Sequence, residues 1–226
     1  MGRPDRPFMV PSPVSVEALR EELAFVSTGT KAKRFVTLPD RYDENESLFS
    51  FAIVGYTRDP LYIESPSTEW LAGDAPFRKP EPSELMETTV AHHFPNCLKV
   101  AASIPGANER VRISRLDPGQ IIAKHRDPHP KWDERYLVRF HVPVLYPDLC
   151  VFVIWDRDNR LHEVCRPFGV WYTDTNLPHM VVNGDRTPRY NLVIDKFLDA
   201  PLRVWLGAAQ RAMAAMGETW EHSLTI

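Results

Sequence analysis

The tripeptide His125-Arg126-Asp127 sets an imidazole and a carboxylate two residues apart. On an extended strand such residues project to the same face, so both side chains can converge on one ion while Arg126 points away. A third ligand is needed, and His179 is the best placed, opening the run HMVVN behind the turn-forming Asn176-Leu177-Pro178. His129, between Pro128 and Pro130, reads as a loop residue that points elsewhere. His141, within YLVRFHV, is either a ligand or a core histidine with its hydrogen bonds satisfied. Two imidazoles and one carboxylate on one face of an ion leave positions open opposite, which suits non-haem Fe(II) reacting with oxygen. Zinc can occupy the same ligands, because affinity alone does not choose the metal.

Oxygen activation needs electrons, and a dicarboxylic 2-oxo acid can supply them while chelating the iron. Its distal carboxylate then needs a permanently charged partner, and the planar fork of arginine pairs with a carboxylate bidentately. Arg189 stands ten residues after His179, opening RYNLVIDKF. Arg139 shares a strand face with His141. An arginine among Val, Phe and Ile inside a barrel is costly without a resident anion. For Arg139 the competing reading is a salt bridge at the barrel mouth.

These side chains need elements to hold them. From Val111 onward the runs VRISRL, IIAKHRD, YLVRFHVPVLY, LCVFVIWD, RLHEVCR, VWYTD, HMVVN and RYNLVIDKF are short and rich in β-branched and aromatic residues. Turn formers such as Asp117-Pro118-Gly119, Asp158-Asn159 and Asn183-Gly184-Asp185 separate them. Eight short strands in sequence predict a double-stranded β-helix, a jelly roll of cupin type, over residues 110–200. The His-x-Asp pair falls on the second strand and His179 on the seventh, which antiparallel jelly-roll winding sets side by side. Residues 14–27 predict an amphipathic helix, with Val14, Leu19, Leu23 and Val26 on one side. Residues 30–82 read as irregular, cut by Pro60, Pro66, Pro76 and Pro80. Ser83 is a candidate N-cap for a helix running to about His93, with Pro95 as its stop. In the tail, Leu202, Trp205, Leu206, Ala209, Met213 and Met216 fall on one helical face, between Pro201 and Gly217. That helix is expected to cover a sheet face or serve as a homodimer interface.

The 226 residues suit a single domain, and 21 prolines against ten glycines favour strands and fixed loops over a helical bundle. A net charge of −3 with scattered basic residues gives no footprint for nucleic acid or an anionic membrane. Cys97, Cys150 and Cys165 have no CxxC spacing, which speaks against a disulfide framework. No run matches a signal peptide or membrane span, so a cytoplasmic protein is expected.

The stretch VRISRLDPGQIIAKHRDPHP, then YLVRFHVPV, then GVWYTDTNLPHMVVNGDRTPRYNLVIDKF resembles the aspartyl/asparaginyl β-hydroxylase family of Fe(II)/2-oxoglutarate oxygenases. The resemblance covers about residues 110–200. It implies iron at His125 and His179 and 2-oxoglutarate held by Arg189, with Arg139, His141 and Ser114 lining the same pocket. Animal peptidyl members lack the carboxylate ligand, whereas Asp127 is present here, as in the bacterial hydroxylases of free proline. Retention of Asp127 also argues against halogenation. The implied activity is hydroxylation of an amino acid, free, peptidyl or carrier-bound, with O2 as oxidant and succinate and CO2 released. Arg115, Arg126 and Arg135 are candidate cations for a substrate carboxylate. Residues 1–109 are expected to supply the substrate lid, and 201–226 the C-terminal helix and tail. A metal-dependent isomerase or epimerase on the same ligands, and a non-catalytic binding module, are the competing classes.

Overall fold

The computed structural model describes residues 6–29, 33–34, 48–62, 81–127 and 137–215. His129, Arg135, Pro66, Pro76, Pro80, Met216, Gly217 and the side chain of Met213 lie outside the described residues.

Strand β12, Arg189–Phe197, is buried at every position. Its alternation explains why. Tyr190, Leu192 and Ile194 join an apolar cluster beneath the helices, while Arg189, Asn191 and Asp195 project the other way and are also buried. Both faces of this strand are therefore interior, one greasy and one polar. It lies between β5 (Asn108–Leu116) and β7 (Leu137–Leu145), with registers Asn191↔Ser114 and Val193↔His141.

Among the described residues the strands form two antiparallel sheets. The larger runs β1 (Phe8–Val10), β10 (Val170–Thr173), β7, β12, β5, β3 (Leu48–Gly55), β2 (Lys33–Arg34), with β4 (Met86–Glu87) also on β3. The smaller runs β6 (Ile121–His125), β11 (His179–Asn183), β8 (Cys150–Trp155), β9 (Leu161–Val164). A second apolar cluster, including Leu116, Phe152, Ile154, Trp171, Leu177 and Val181, draws residues from both sheets. This is the jelly roll expected, and each of the eight strand runs forms a strand. Residue Gly119, at φ +74°, turns the chain from β5 into β6 in a conformation that favours glycine.

Helix α1 (Val16–Gly29) buries Leu19 against the large sheet, and α3 (Ala200–Ala215) buries Leu202 and Leu206, with Trp205 edge-on to Phe140 at 5.9 Å. The C-terminal helix thus covers a sheet face. No described helix is long and apolar enough to cross a membrane.

Two sequence expectations fail. Residues 83–93 are not an α-helix but short 3-10 turns at Pro82–Glu84 and Ala91–His93 flanking β4. Pro95 begins rather than ends a helix, α2 (Pro95–Ser103). A proline costs nothing at the first helical position, where its missing N–H would have no partner. The N–H groups of Asn96 and Cys97 donate to the Glu22 carboxylate of α1, at 2.5 and 3.1 Å, so the cap comes from a distant residue. Nor is residue span 48–55 irregular: it is β3, which buries Phe51 and Ile53 and pairs with β5.

Glu22→Ala should lose both charged hydrogen bonds at the start of α2. Each such bond contributes roughly 1.5–3 kcal/mol, so with two lost a fall in melting temperature of at least roughly 6 °C is expected. Glu22→Gln should lose less. An unchanged melting temperature for Glu22→Ala would show that the cap is not holding α2.

Candidate active site

Strands β6 and β11 pair with His125 opposite His179, and the two rings lie 4.2 Å apart. The local backbone sets their chemistry. His125 Nδ1 faces the carbonyl of Ala123 at 2.7 Å, and His179 Nδ1 faces that of Leu177 at 3.0 Å. A carbonyl can only accept, so each ring carries its proton on Nδ1 and presents the Nε2 lone pair. Both Nε2 atoms look towards Asp127 Oδ1, at 3.5 and 3.8 Å. The candidate ligand atoms of the three residues all fall within 4.8 Å of one another. Two neutral imidazole acceptors aimed at one carboxylate oxygen fit a divalent cation.

Asp127 is not on the strand, which ends at His125. Its N–H donates to the carbonyl of Thr175 at 2.9 Å, which keeps the chain extended for two more residues. Its Oδ2 accepts from Arg139 Nη1, leaving Oδ1 for the histidines. Against the burial penalty, Arg139 holds the Asp127 carboxyl well below the ordinary range, so it is ionised. Burial lowers His179, whereas at His125 the Asp127 carboxylate and the Ala123 carbonyl together outweigh burial and raise the ring.

Behind the triad, on β12, Arg189 is buried to 3% exposure. Its guanidinium lies 5.5 and 5.7 Å from the rings of Tyr146 and Phe152. Among the described residues, Nε and Nη2 have no hydrogen-bond partner and no carboxylate pairs with the group. The neighbouring thiol of Cys165 is pushed up to about 12 by burial, so it supplies no counter-charge. His141 is likewise buried, and desolvation together with Arg139 and Arg189 keeps its ring neutral. Asn191 Nδ2 lies 2.7 Å from His141 Nδ1; with the amide donating, the ring proton sits on Nε2, which has no partner. Ser114 faces Asn191 across the strands and shares a 3.1 Å hydrogen bond with Ser50. A buried cation with unmet donors beside an unmet imidazole N–H is an anion site.

Arg139 does lie on the same face as His141, but its fork is taken. Besides Asp127, it donates through Nε and Nη2 to Asp195 at 2.6 and 3.2 Å. Asp195 escaped the sequence reading, since one acid within an apolar strand gives no periodic signal. Arg115 is engaged by Asp117 at 2.6 Å, and Arg126 is exposed.

A jelly roll with two histidines and a carboxylate converging at one end, and a bare arginine buried behind them, defines the class of non-haem iron oxygenases. Comparison with known proteins agrees. The sequence profile of the aspartyl/asparaginyl beta-hydroxylase family matches residues 81–197, just over half of the chain, and the chain belongs to that family. It is a 2-oxoglutarate-dependent dioxygenase whose cofactors are Fe(II), 2-oxoglutarate and O2. No curated protein matches in sequence. Among solved structures, a prolyl hydroxylase of Trichoplax adhaerens, in complex with a peptide fragment of the hypoxia inducible factor oxygen degradation domain, is 12% identical. The match covers 88% of this chain and 86% of that one, with a TM-score of 0.50, which supports the fold. A Pseudomonas putida prolyl-4-hydroxylase is 13% identical over 84% of this chain and 91% of its own, with a TM-score of 0.48.

Asp195→Asn should remove the shared counter-charge of Arg139 and its neighbours, at a cost of about 3–5 kcal/mol for a broken buried ion pair. The pH dependence has a definite sign. Against burial, Arg139 lowers the folded Asp195 below its unfolded value. Its stabilising contribution is therefore complete above about pH 4 and lost as pH falls through the folded value. Denaturation of wild type and variant should show a gap that is wide near neutrality and narrows in acid. A gap independent of pH would contradict the ion-pair assignment.

Proposed function

We propose that the chain hydroxylates an unactivated C–H bond of an amino acid, free or within a peptide or carrier-bound intermediate. In this reading His125, Asp127 and His179 hold Fe(II), and Arg189 holds the distal carboxylate of 2-oxoglutarate. The single observation that carries it is the Arg189 guanidinium, buried with unmet donors behind the triad. The bidentate fork of arginine matches a carboxylate, and a resident dianion supplies the missing charge. His141 Nε2–H and the Ser114 hydroxyl are the neutral donors beside it. Arg139, expected to line this pocket, borders it and orients Asp127 instead of facing inward unpaired.

When bound, iron and cosubstrate supply the oxidising power, so that O2, 2-oxoglutarate and a C–H bond yield an alcohol, succinate and CO2. The chain's own part is placement. The Ala123 and Leu177 carbonyls fix both histidine tautomers, and the second of these acts as outer support that orients a ligand. The apolar cluster around Phe152, Leu177 and Val181 keeps water from the pocket behind them. The peptide in the Trichoplax adhaerens relative is a reason to keep peptidyl substrates beside free amino acids. Residues 1–109 are proposed to form the substrate lid as well as the strands and helices that they contribute.

His125→Ala, Asp127→Ala and His179→Ala should each abolish iron-dependent succinate release while leaving the melting transition cooperative, because the strands pair through backbone and apolar contacts. An Asp127→Ala enzyme with full activity beside a dead His125→Ala would mean a two-histidine site. Anaerobic titration of Fe(II) protein with 2-oxoglutarate, followed by the visible charge-transfer band, tests Arg189. Arg189→Lys keeps the charge and loses the fork, so affinity should fall by roughly one to two orders of magnitude. Arg189→Ala should fall further. If Arg189→Ala binds 2-oxoglutarate as wild type does, the cosubstrate lies elsewhere and an isomerase on the same ligands becomes the better reading.

A further inference from the structure

Asn191 stands two residues after Arg189 on the same face of β12 and is 1% exposed. It is paired with Pro143 of β7, which has no N–H to give the ladder, and the pairing of the two strands shifts between Tyr190 and Asn191. Such a shift re-aims a side chain. His141 lies two residues from Pro143 on the same face of β7, within diagonal reach of Asn191. Asn191 Nδ2 accordingly meets His141 Nδ1 at 2.7 Å. From β8 of the small sheet, the Phe152 ring packs edge-on against His141, at 5.0 Å and 84°. The same ring is 6.1 Å from the His179 ring and 5.7 Å from the Arg189 guanidinium. Imidazole, metal ligand and buried cation thus surround one aromatic side chain.

A neutral imidazole has one donor and one acceptor, and its partners decide which nitrogen is which. At His125 and His179 a backbone carbonyl faces Nδ1, which keeps the proton there and leaves Nε2 bare for a cation. At His141 the partner of Nδ1 is an amide N–H. The outcome reverses, with Nδ1 accepting and the proton on Nε2. That Nε2 has no partner among the described residues, and neither have Nε and Nη2 of Arg189. Burial, with Arg139 and Arg189 nearby, keeps the ring neutral, so its donor depends on the tautomer and not on a second proton. The Asn191 Oδ1 is also buried without a partner, but it is an acceptor and has nothing to offer an anion. The donor of this pair is therefore the imidazole N–H. A hydrocarbon at position 191 would leave the ring free to adopt either tautomer, and a carboxylate there would impose the wrong one.

We infer that Asn191 is a positioning residue for the cosubstrate: its amide locks His141 in the Nε2–H tautomer, so that the ring donates a hydrogen bond to 2-oxoglutarate beside Arg189. The inference rests on the reading above, in which Arg189 holds the cosubstrate. One barrel then uses three histidines in two opposite tautomers. Two accept towards a cation and one donates towards an anion, and the group that meets each Nδ1 makes the choice.

The test uses the full-length protein loaded with Zn(II) and isotopically labelled at its histidine nitrogens, so that NMR reads which nitrogen carries the proton. His141 is assigned by its loss in His141→Gln. Without cosubstrate, its Nε2 should be protonated and its Nδ1 bare, the reverse of His125 and His179. Asn191→Asp, whose carboxylate can only accept, should put a proton on Nδ1. Addition of 2-oxoglutarate to the unsubstituted protein should shift the Nε2–H resonance. Affinity for 2-oxoglutarate is then measured by anaerobic titration of the Fe(II) protein. Asn191→Leu should weaken it by roughly three- to tenfold, the equivalent of one neutral hydrogen bond. Asn191→Ala takes its place if Asn191→Leu does not fold. His141→Gln supplies an amide N–H that needs no tautomer, so in that background the same substitution should change affinity by less than about twofold. A residue that only fills space would cost the same in both backgrounds.

The inference is overturned if the unsubstituted protein carries the His141 proton on Nδ1, if Asn191→Asp leaves Nδ1 bare, or if 2-oxoglutarate leaves the Nε2–H resonance unmoved. Equal losses in the two backgrounds overturn it as well. Arg189→Ala, titrated alongside, tells the two readings apart. Lost cosubstrate binding there, together with any of these results, overturns this inference alone. Unchanged binding overturns the cosubstrate reading and this inference with it.

Discussion

A slip of one residue between β6 and β11 would turn either His125 or His179 out of the barrel, since side chains alternate along a strand. The observed pairing sets the two opposite each other, on the small sheet and facing the polar side of β12. Everything else at the site depends on that register. It brings two Nε2 atoms to the same oxygen of Asp127. The register is held by burial. Val181 and Ile122 fill the inner face beyond the histidines, so a slip would exchange apolar side chains with solvent as well as lose the ligands.

The large sheet answers this with a strand whose two faces have different tasks. Tyr190, Leu192 and Ile194 close the core against α1, α2 and α3, which anchors β12 in the middle of the sheet. That anchoring allows Arg189, Asn191 and Asp195 to be buried on the other face at a cost the apolar side offsets. Each fully buried aliphatic or aromatic side chain contributes about 1.5–3 kcal/mol, and the cluster is large enough that no metal is needed to hold the sheets. Binding chemistry can therefore be left unsatisfied in the protein alone, as it is at Arg189.

Electrostatics organise the interior into a satisfied half and an unsatisfied half. Arg139 is shared by Asp127 and Asp195, so the carboxylate that completes the triad is held through a guanidinium rooted in a different sheet. Asp195 gathers the arginines of β5 and β7 around one carboxylate. Donors outnumber acceptors at Arg189 and at Arg112, whose guanidiniums keep N–H groups without a hydrogen-bond partner among the described residues. The low-dielectric surroundings make those unmet donors costly in isolation and selective towards anions.

By itself the sequence determined the strand-rich half of the chain: HMVVN and RYNLVIDKF are strands with the bounds their composition predicts. It also marked His125, Asp127, His179 and Arg189, because period two and turn residues act over a few neighbours and survive in a linear reading. Signals that depend on distant partners were lost. Pro95 was read as a stop, yet Glu22, far away in sequence, supplies the cap that lets it start α2. Residues 48–55 fell in a span read as irregular, yet pairing with β5 makes them a strand that buries Phe51 and Ile53. The fate of Arg139, salt-bridged rather than open, and of Arg112, buried with donors to spare, was decided by which carboxylates the sheets bring within reach. Charge pairing inside a barrel is set by register and layer distance, and neither is written in the spacing of residues along one strand.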